Sequence, residues 1–236
     1  MAASVGHTIT ELFPAMMPLK VKEDWVESCR ADTIAKVTMQ VDIKKYKKLS
    51  AQGDLIFTKG GIRGPVVLDF SREITPLLSK MGEVPVLVNL TKGMNEEQIR
   101  EHFKNEMSKN PHQNTLELLQ TLLPLSVSVA LCKLAEADPA VTLGKQAGIA
   151  RDALIRLLVW TPLTVNGHDG FKMAMITRGG VSLKEIDPYT MQSKKLQGLY
   201  FCGEIMNIDG PCGGYNLQWS FASGYVAGLL KDRQAL

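Results

Sequence analysis

The residue types with most capacity for chemistry lie in a glycine-rich loop near the C-terminal end, from Gly203 to Gly214. It carries Glu204, Asp209, Pro211, Cys212 and the Gly213-Gly214 pair, and helical spacing starts at Tyr215. A helix N-terminus offers free N–H groups and partial positive charge to an anionic or electron-rich atom. Glycines just before that helix would let a flat ligand approach without meeting a Cβ. An ordinary strand, loop and helix joined by a glycine-rich turn suits the same residues, and spacing alone leaves both readings open.

Two elements must position this loop. Before it, Leu199, Tyr200, Phe201 and Cys202 form an unbroken apolar run between Gly198 and Gly203, the pattern of a strand buried on both faces of a parallel sheet. After it, Leu217, Phe221, Tyr225 and Leu229 recur every fourth residue, and Ser220, Gly224 and Gly228 form a second stripe of small residues. Such a helix is expected to pack closely against a neighbouring backbone. The loop would then lie beyond the carboxyl end of a sheet strand, where open α/β sheets bind ligands.

The chain has 236 residues, 45% of them hydrophobic and 22% charged, with a formal net charge of +3. These are the fractions of a globular protein, and the small charge argues against a nucleic-acid or anionic-membrane partner. No apolar run approaches the roughly 18 residues of a membrane span, and no signal-peptide pattern opens the sequence, which reads as cytoplasmic. Cys29, Cys132, Cys202 and Cys212 are scattered without a C-x-x-C pair, as are His7, His102, His112 and His168. They read as structural thiols and isolated histidines, and no metal site is expected.

Along the chain, Ala2–Val5 reads as a helix end capped by Gly6, followed by an extended stretch through His7 to Thr10. Residues 34–43 alternate as a half-buried antiparallel strand with Ala35, Val37, Met39, Val41 and Ile43 inward. The run Lys44-Lys45-Tyr46-Lys47-Lys48 suits a phosphate-binding patch or a solvated hairpin whose lysines discourage edge pairing, and the second reading is adopted. A strand at Leu55–Phe57 leads through a glycine turn to a helix with Pro65 in its first turn, and Val84–Leu90 is a further strand. Residues 95–156 are helical by period, with Leu116, Leu119, Leu122 and Leu123 on one face and breaks at Pro111, Pro124 and Pro139. Two strand-like runs, "WTPLTVNG" and "FKMAMIT", follow. Nowhere are two glycines separated by a single residue, so the G-x-G-x-x-G fingerprint of a dinucleotide fold is absent.

Residues 174–228 resemble the C-terminal segment of flavoproteins labelled NAD(FAD)-utilizing dehydrogenases, among them aminoacetone-oxidase-like enzymes. The resemblance is carried by T-x-G-G-V at Thr177 to Val181, E-x-D-P-x-T-M at Glu185 to Met191, Ser193-Lys194, G-L-Y-F-x-G-E through Glu204, and G-G-Y-N-L-Q-W at Gly213 to Trp219. "FTKGGIRGP" at Phe57–Pro65 and "GHTITELFPAMMPLKV" at the N-terminal end extend it over essentially the whole chain. Asn207 stands where the family usually has an acidic residue, and Lys59-Gly60 and Arg63 stand where a His-aromatic pair and a Ser are common.

The resemblance implies a mixed α+β and α/β fold. A β-barrel with a small helical subdomain is inserted into a discontinuous FAD-binding, Rossmann-like domain, of which the C-terminal strand, loop and helix are present. On that pattern 1–10 is a remnant of the FAD domain and 11–171 the insertion, barrel-like over 11–92 and 158–171 and helical over 93–157. Residues 172–236 then form the C-terminal part of the FAD domain, and the N-terminal part with the glycine fingerprint is expected to be missing.

FAD is the implied cofactor, held by Gly203, Glu204, Asp209, Gly213, Gly214, Tyr215, Asn216, Leu217 and Gln218, and it is not expected to be retained by this chain alone. The flavin would carry the redox chemistry, so no Ser/His/Asp constellation is needed and none is read in the sequence. The implied function is a truncated oxidoreductase acting on a small-molecule substrate, with no nucleic-acid or membrane partner and a homodimer formed through the exposed C-terminal segment. A standalone binding or interaction module that no longer binds flavin is the alternative, and a third reading, a nucleic-acid-binding barrel, rests on the Lys44 to Lys48 run alone.

Overall fold

The computed structural model describes residues 1–230. The strands are β1 (Ile9–Ala15), β2 (Leu19–Val21), β3 (Thr33–Val41), β4 (Ser50–Thr58), β5 (Gly61–Arg63), β6 (Val84–Asn89), β7 (Thr161–Gly167) and β8 (Ile176–Val181). The helices are α1 (Trp25–Ser28), α2 (Pro65–Met81), α3 (Glu96–Lys109), α4 (Thr115–Leu119), α5 (Leu125–Leu134), α6 (Gly148–Val159) and α7 (Tyr215–Gly228). The described residues divide into two compact units, 18–168 and 1–17 together with 169–230.

In the contiguous unit, six antiparallel strands close into a barrel in the order β2-β5-β4-β3-β6-β7. Closure satisfies every strand on both sides, so the barrel has no free edge. Its core holds Val37, Met39, Leu55, Phe57, Ile62, Val84, Val86, Val88, Leu163 and Val165. Helix α2 begins with Pro65 at its first position and buries Val66, Val67, Phe70, Ile74, Leu77 and Leu78, a helical period, against this core. In β3 the alternation slips by one residue. Lys36 takes a left-handed conformation (φ 56°) and donates its N–H to Asp54 Oδ1 at 3.0 Å. This bulge shifts the register between Ile34 and Val37, so Ile34 is buried and Ala35, expected inward, is exposed.

The helical part of this unit starts where the sequence supplies caps. Asn95 with Gln98 and Asn114 with Glu117 form reciprocal capping boxes at the N-termini of α3 and α4. Ile99, Phe103, Leu118, Leu119, Leu123, Val127, Leu131, Leu154, Ile155 and Leu158 continue the barrel's core into this subdomain.

In the second unit, β1 and β8 pair as a two-stranded antiparallel sheet, and a small core forms from Val181, Ile186, Met191, Phe201, Met206 and Ala227. The run Leu199–Cys202 is not a regular strand: its pairing is a single antiparallel bridge of Tyr200 to Gln192. Cys202, expected inside an apolar strand, is exposed. The apolar stripe of α7 also lies outward, with Leu217, Phe221, Tyr225 and Leu229 at 67%, 73%, 72% and 47% exposure. The face that packs is Ser220, Ser223 and Ala227, against the turn at Gly203. The sequence marks α7 for burial on two sides, and among the described residues one side is covered.

Candidate functional site

A cavity of about 320 Å³ opens where the loop before α7 meets β8. Met16, Met175, Ile176, Ile208, Leu217 and Trp219 give it apolar walls, and Thr177, Glu204, Cys212, Asn216 and Ser220 add polar groups. Its floor is the N-terminus of α7. Gly214 takes the N-cap position in a left-handed conformation (φ 90°, ψ −2°) and, being a glycine, makes no side-chain cap bond, and a Cβ at Gly214 would meet nothing within 4 Å. Open space thus lies against the end of a helix whose N-cap residue supplies no side-chain acceptor to the first-turn N–H groups.

The loop is held in this shape by Asn216. Its Oδ1 accepts the Gly210 N–H at 2.7 Å, and its Nδ2 donates to the Gly210 carbonyl at 3.0 Å. The amide closes the loop on itself, and a Cβ at Gly210 would come within 2.9 Å of the Tyr215 Cβ. Glu204 accepts the Thr177 N–H at 2.5 Å, tying the loop's first turn to β8.

Of the residues expected to hold a cofactor, Glu204, Gly213, Gly214, Asn216 and Leu217 line the cavity. Gly203, Asp209, Tyr215 and Gln218 do not. Gly203 is buried and gives its N–H to Ser223 Oγ at 2.9 Å, and Asp209 stands 3.8 Å from Arg178 Nη1. Tyr215 is exposed and lies over Gly210 and Gly213. The residues present fit the edge of a flat, electron-rich ring such as a flavin: helix-end donors, an open glycine floor and apolar walls occur together.

Sequence reasoning missed a second constellation, for it saw no histidine with a carboxylate and no Ser/His/acid grouping. The structure brings His7, Glu185 and Ser193 together: His7 Nδ1 is 3.1 Å from Glu185 Oε2 and Nε2 is 2.8 Å from Ser193 Oγ. Ser193 Oγ accepts the N–H groups of Lys195 and Leu196 at 3.0 and 2.9 Å, so its own proton points to Nε2 and the imidazole proton sits on Nδ1, facing Glu185. Both His7 and Ser193 are buried, and neither lines the cavity before α7 or the shallower one beside β1. The grouping is a clasp between chain segments almost two hundred residues apart. The available signal was that Glu185 and Ser193 fall in two successive motifs, Glu185 to Met191 and Ser193-Lys194.

Lys195 Nζ (2.7 Å) and the Thr8 N–H (2.9 Å) hold the Glu185 carboxyl down at about 2, against an ordinary 4.5. A depressed carboxyl contributes its stability fully above the unfolded value, and loses it as pH falls through the folded one. The wild-type chain is therefore expected to lose stability between pH 4.5 and 2 more steeply than Glu185→Gln, as read by thermal melts across that range. Equal pH slopes would show that the clasp adds nothing to folding. Burial pushes the Cys29 and Cys132 thiols up, which makes them poor nucleophiles.

Comparison with known proteins places this geometry in context. The chain is 32% identical over 229 residues to the 3-dehydro-bile acid delta(4,6)-reductase of Clostridium scindens, covering 97% of this chain and 56% of that protein. It is similar to the ribosomal RNA dihydrouridine synthase of Haemophilus influenzae, with 30% identity over 210 residues, 84% of this chain and 47% of the relative. It is also similar to that of Escherichia coli, with 35% identity over 175 residues, 73% of this chain and 41% of the relative. The chain spans about half the length of these curated relatives. The model of the HI0933-like protein Rossmann domain matches residues 1–230, and with it this chain belongs to the HI0933-like family of FAD-utilizing flavoproteins.

Proposed function

We propose that this chain supplies the flavin-edge half of an FAD-dependent reductase. The observation that carries the reading is the open glycine floor at Gly214, set against a helix N-terminus with a glycine N-cap within an apolar-walled cavity. Bound there, the flavin would supply two-electron transfer. The first-turn N–H groups of α7 would stabilise negative charge at the ring edge, a preorganised dipole placed where charge develops. Asn216 keeps the loop closed, and Met16, Met175, Ile176 and Trp219 exclude water. The FAD-domain parts at 1–10 and 172–236 and the insertion at 11–171 belong to the same proposal.

The exposed stripe Leu217, Phe221, Tyr225 and Leu229 would be covered by the dinucleotide-binding part of the assembled protein; a homodimer through this face is the competing cover. The relatives support a reading of the reaction class. Their names denote a delta(4,6)-reductase acting on a 3-dehydro-bile acid and a synthase making dihydrouridine in ribosomal RNA, both of which saturate a carbon–carbon double bond. We carry over that reaction class, with a conjugated carbonyl compound as substrate, a small molecule on the model of the bile-acid relative, whose similarity covers 97% of this chain.

Alone, the chain is expected to be colourless, because a dinucleotide is normally held by the glycine fingerprint that this sequence lacks. Supplying a family segment that carries the fingerprint should yield a yellow complex. In that complex Gly214→Val, which places a branched side chain on the open floor, should shift the flavin's reduction potential and slow its reduction. Unchanged potential and rate with FAD normally bound would remove the helix end from the mechanism, and a yellow protein without the added segment would overturn the division of the site.

A further inference from the structure

β3 pairs with β6 from Thr38 to Val41, and its earlier residues, 33–37, run on past the end of β6 at Asn89. A cavity of about 310 Å³ lies there, between the start of β3, the loop after β6 and the turn joining α4 to α5. It shares no residue with the cavity before α7. Ile34, Leu90, Met94, Leu122 and Pro124 give it apolar walls, and Thr33 adds a hydroxyl. Lys92 is the one charged residue in its lining, and among the described residues no carboxylate lines it. Asp32, next to Thr33 in sequence, is engaged by the Ser126 hydroxyl and forms no part of the wall.

Both sides of the cavity are held by buried or bonded polar groups. Asn89, itself buried, accepts the N–H groups of Thr91 and Gly93 at 3.0 Å each and the Thr91 hydroxyl at 3.1 Å, and donates to the Met94 carbonyl at 2.9 Å. The loop so fixed keeps Lys92 in a left-handed conformation (φ 56°), which costs free energy for any residue but glycine and is met most often where a ligand is held. Opposite, Thr121 Oγ1 donates to the Leu118 carbonyl at 2.7 Å and accepts from His102 Nε2 at 2.9 Å. The space is therefore preformed, apolar for most of its wall and provided with a single cation. We propose that it is a binding site for a small aliphatic monocarboxylate, whose charge meets Lys92 and whose chain lies against Ile34, Leu90 and Leu122. One ammonium matches one negative charge, and a phosphate dianion would leave the apolar walls unused and half its charge unmet. The site belongs to the contiguous unit and does not rest on the flavin reading.

The test titrates the full chain with hexanoate by calorimetry, with 1-hexanol, acetate and inorganic phosphate as comparison probes. Hexanoate should bind with Kd of about 0.1–1 mM, and more tightly than each of the other three. Lys92→Met should raise the hexanoate Kd about tenfold or more and leave 1-hexanol unaffected, while Lys92→Arg, which keeps the charge, should stay within about threefold of wild type. Ala35→Trp, which fills the cavity and leaves Lys92 in place, should abolish hexanoate binding. Unchanged melting temperatures establish that each variant is folded; if Ala35→Trp unfolds, Leu122→Trp fills the space from the opposite wall. Hexanoate binding that survives the filled cavity, phosphate binding as tight as hexanoate, or no saturable hexanoate binding would each overturn the proposal.

Discussion

Gly179→Ala is expected to unpair β1 from β8 and to cost its unit about 3 kcal/mol, among the larger effects a single methyl group can have. Gly179 has φ 104°, and a Cβ there would lie 2.1 Å from the Glu11 carbonyl oxygen, opposite the β1 bulge between Thr10 and Phe13. Its neighbour Gly180 (φ 129°) faces the Ile205 carbonyl at 2.5 Å from its own virtual Cβ. The paired glycines of T-x-G-G-V thus let β8 touch β1 on one side and the turn before Met206 on the other. Gly6→Ala is the control, since Gly6 is also left-handed (φ 85°) but faces open space, so about 1 kcal/mol of conformational cost should remain. Amide exchange should show protection lost along 9–15 and 176–181 in Gly179→Ala alone. If both variants lose about 1 kcal/mol, the close backbone approach is not what the glycine serves.

Phe57→Ala should destabilise the barrel unit by about 3–5 kcal/mol, and Phe57→Leu by less than half of that. The ring is 1% exposed and tilts against Trp25 with centroids 5.7 Å apart, so truncation leaves a cavity in a closed barrel whose strands cannot shift independently. Denaturant unfolding in a Trp160→Phe/Trp219→Phe background, which leaves Trp25 as the fluorescent reporter, reads the change. A midpoint unmoved by the Ala substitution would mean that the barrel collapses into the space.

The barrel strands and the capped helices were legible because local pattern and tertiary role agree there. The alternation of 37–41, Pro65 at a helix start and Asn95 and Asn114 before helical periods each name one structure. Ala35 was misplaced because a bulge at Lys36 is a tertiary feature that reverses the phase of alternation. Leu199–Cys202 and the α7 stripe differ from expectation for another reason: apolar periodicity names a face suited to burial but not the element that covers it, and among the described residues the α7 stripe and Cys202 are exposed. At the site, the motif brought five of its residues to the cavity wall but carried no information on what Asn216 and Asp209 bond to. The His7 clasp was invisible because its halves are 178 residues apart.

That separation governs the order in which the chain can fold as it is synthesised. Residues 18–168 are contiguous and can close their barrel as soon as they emerge, but β1 must wait for β8, which is made about 160 residues later. At ribosomal rates that is roughly 10–30 s during which β1 lacks its β8 partner. β1 carries its own safeguards for the interval, a charge at Glu11 and a proline at Pro14 that cannot donate to a foreign strand. The segment then acts as a delayed latch, and the slow step in maturation should be its closure over the finished C-terminal unit, at a rate set by loop closure across the barrel.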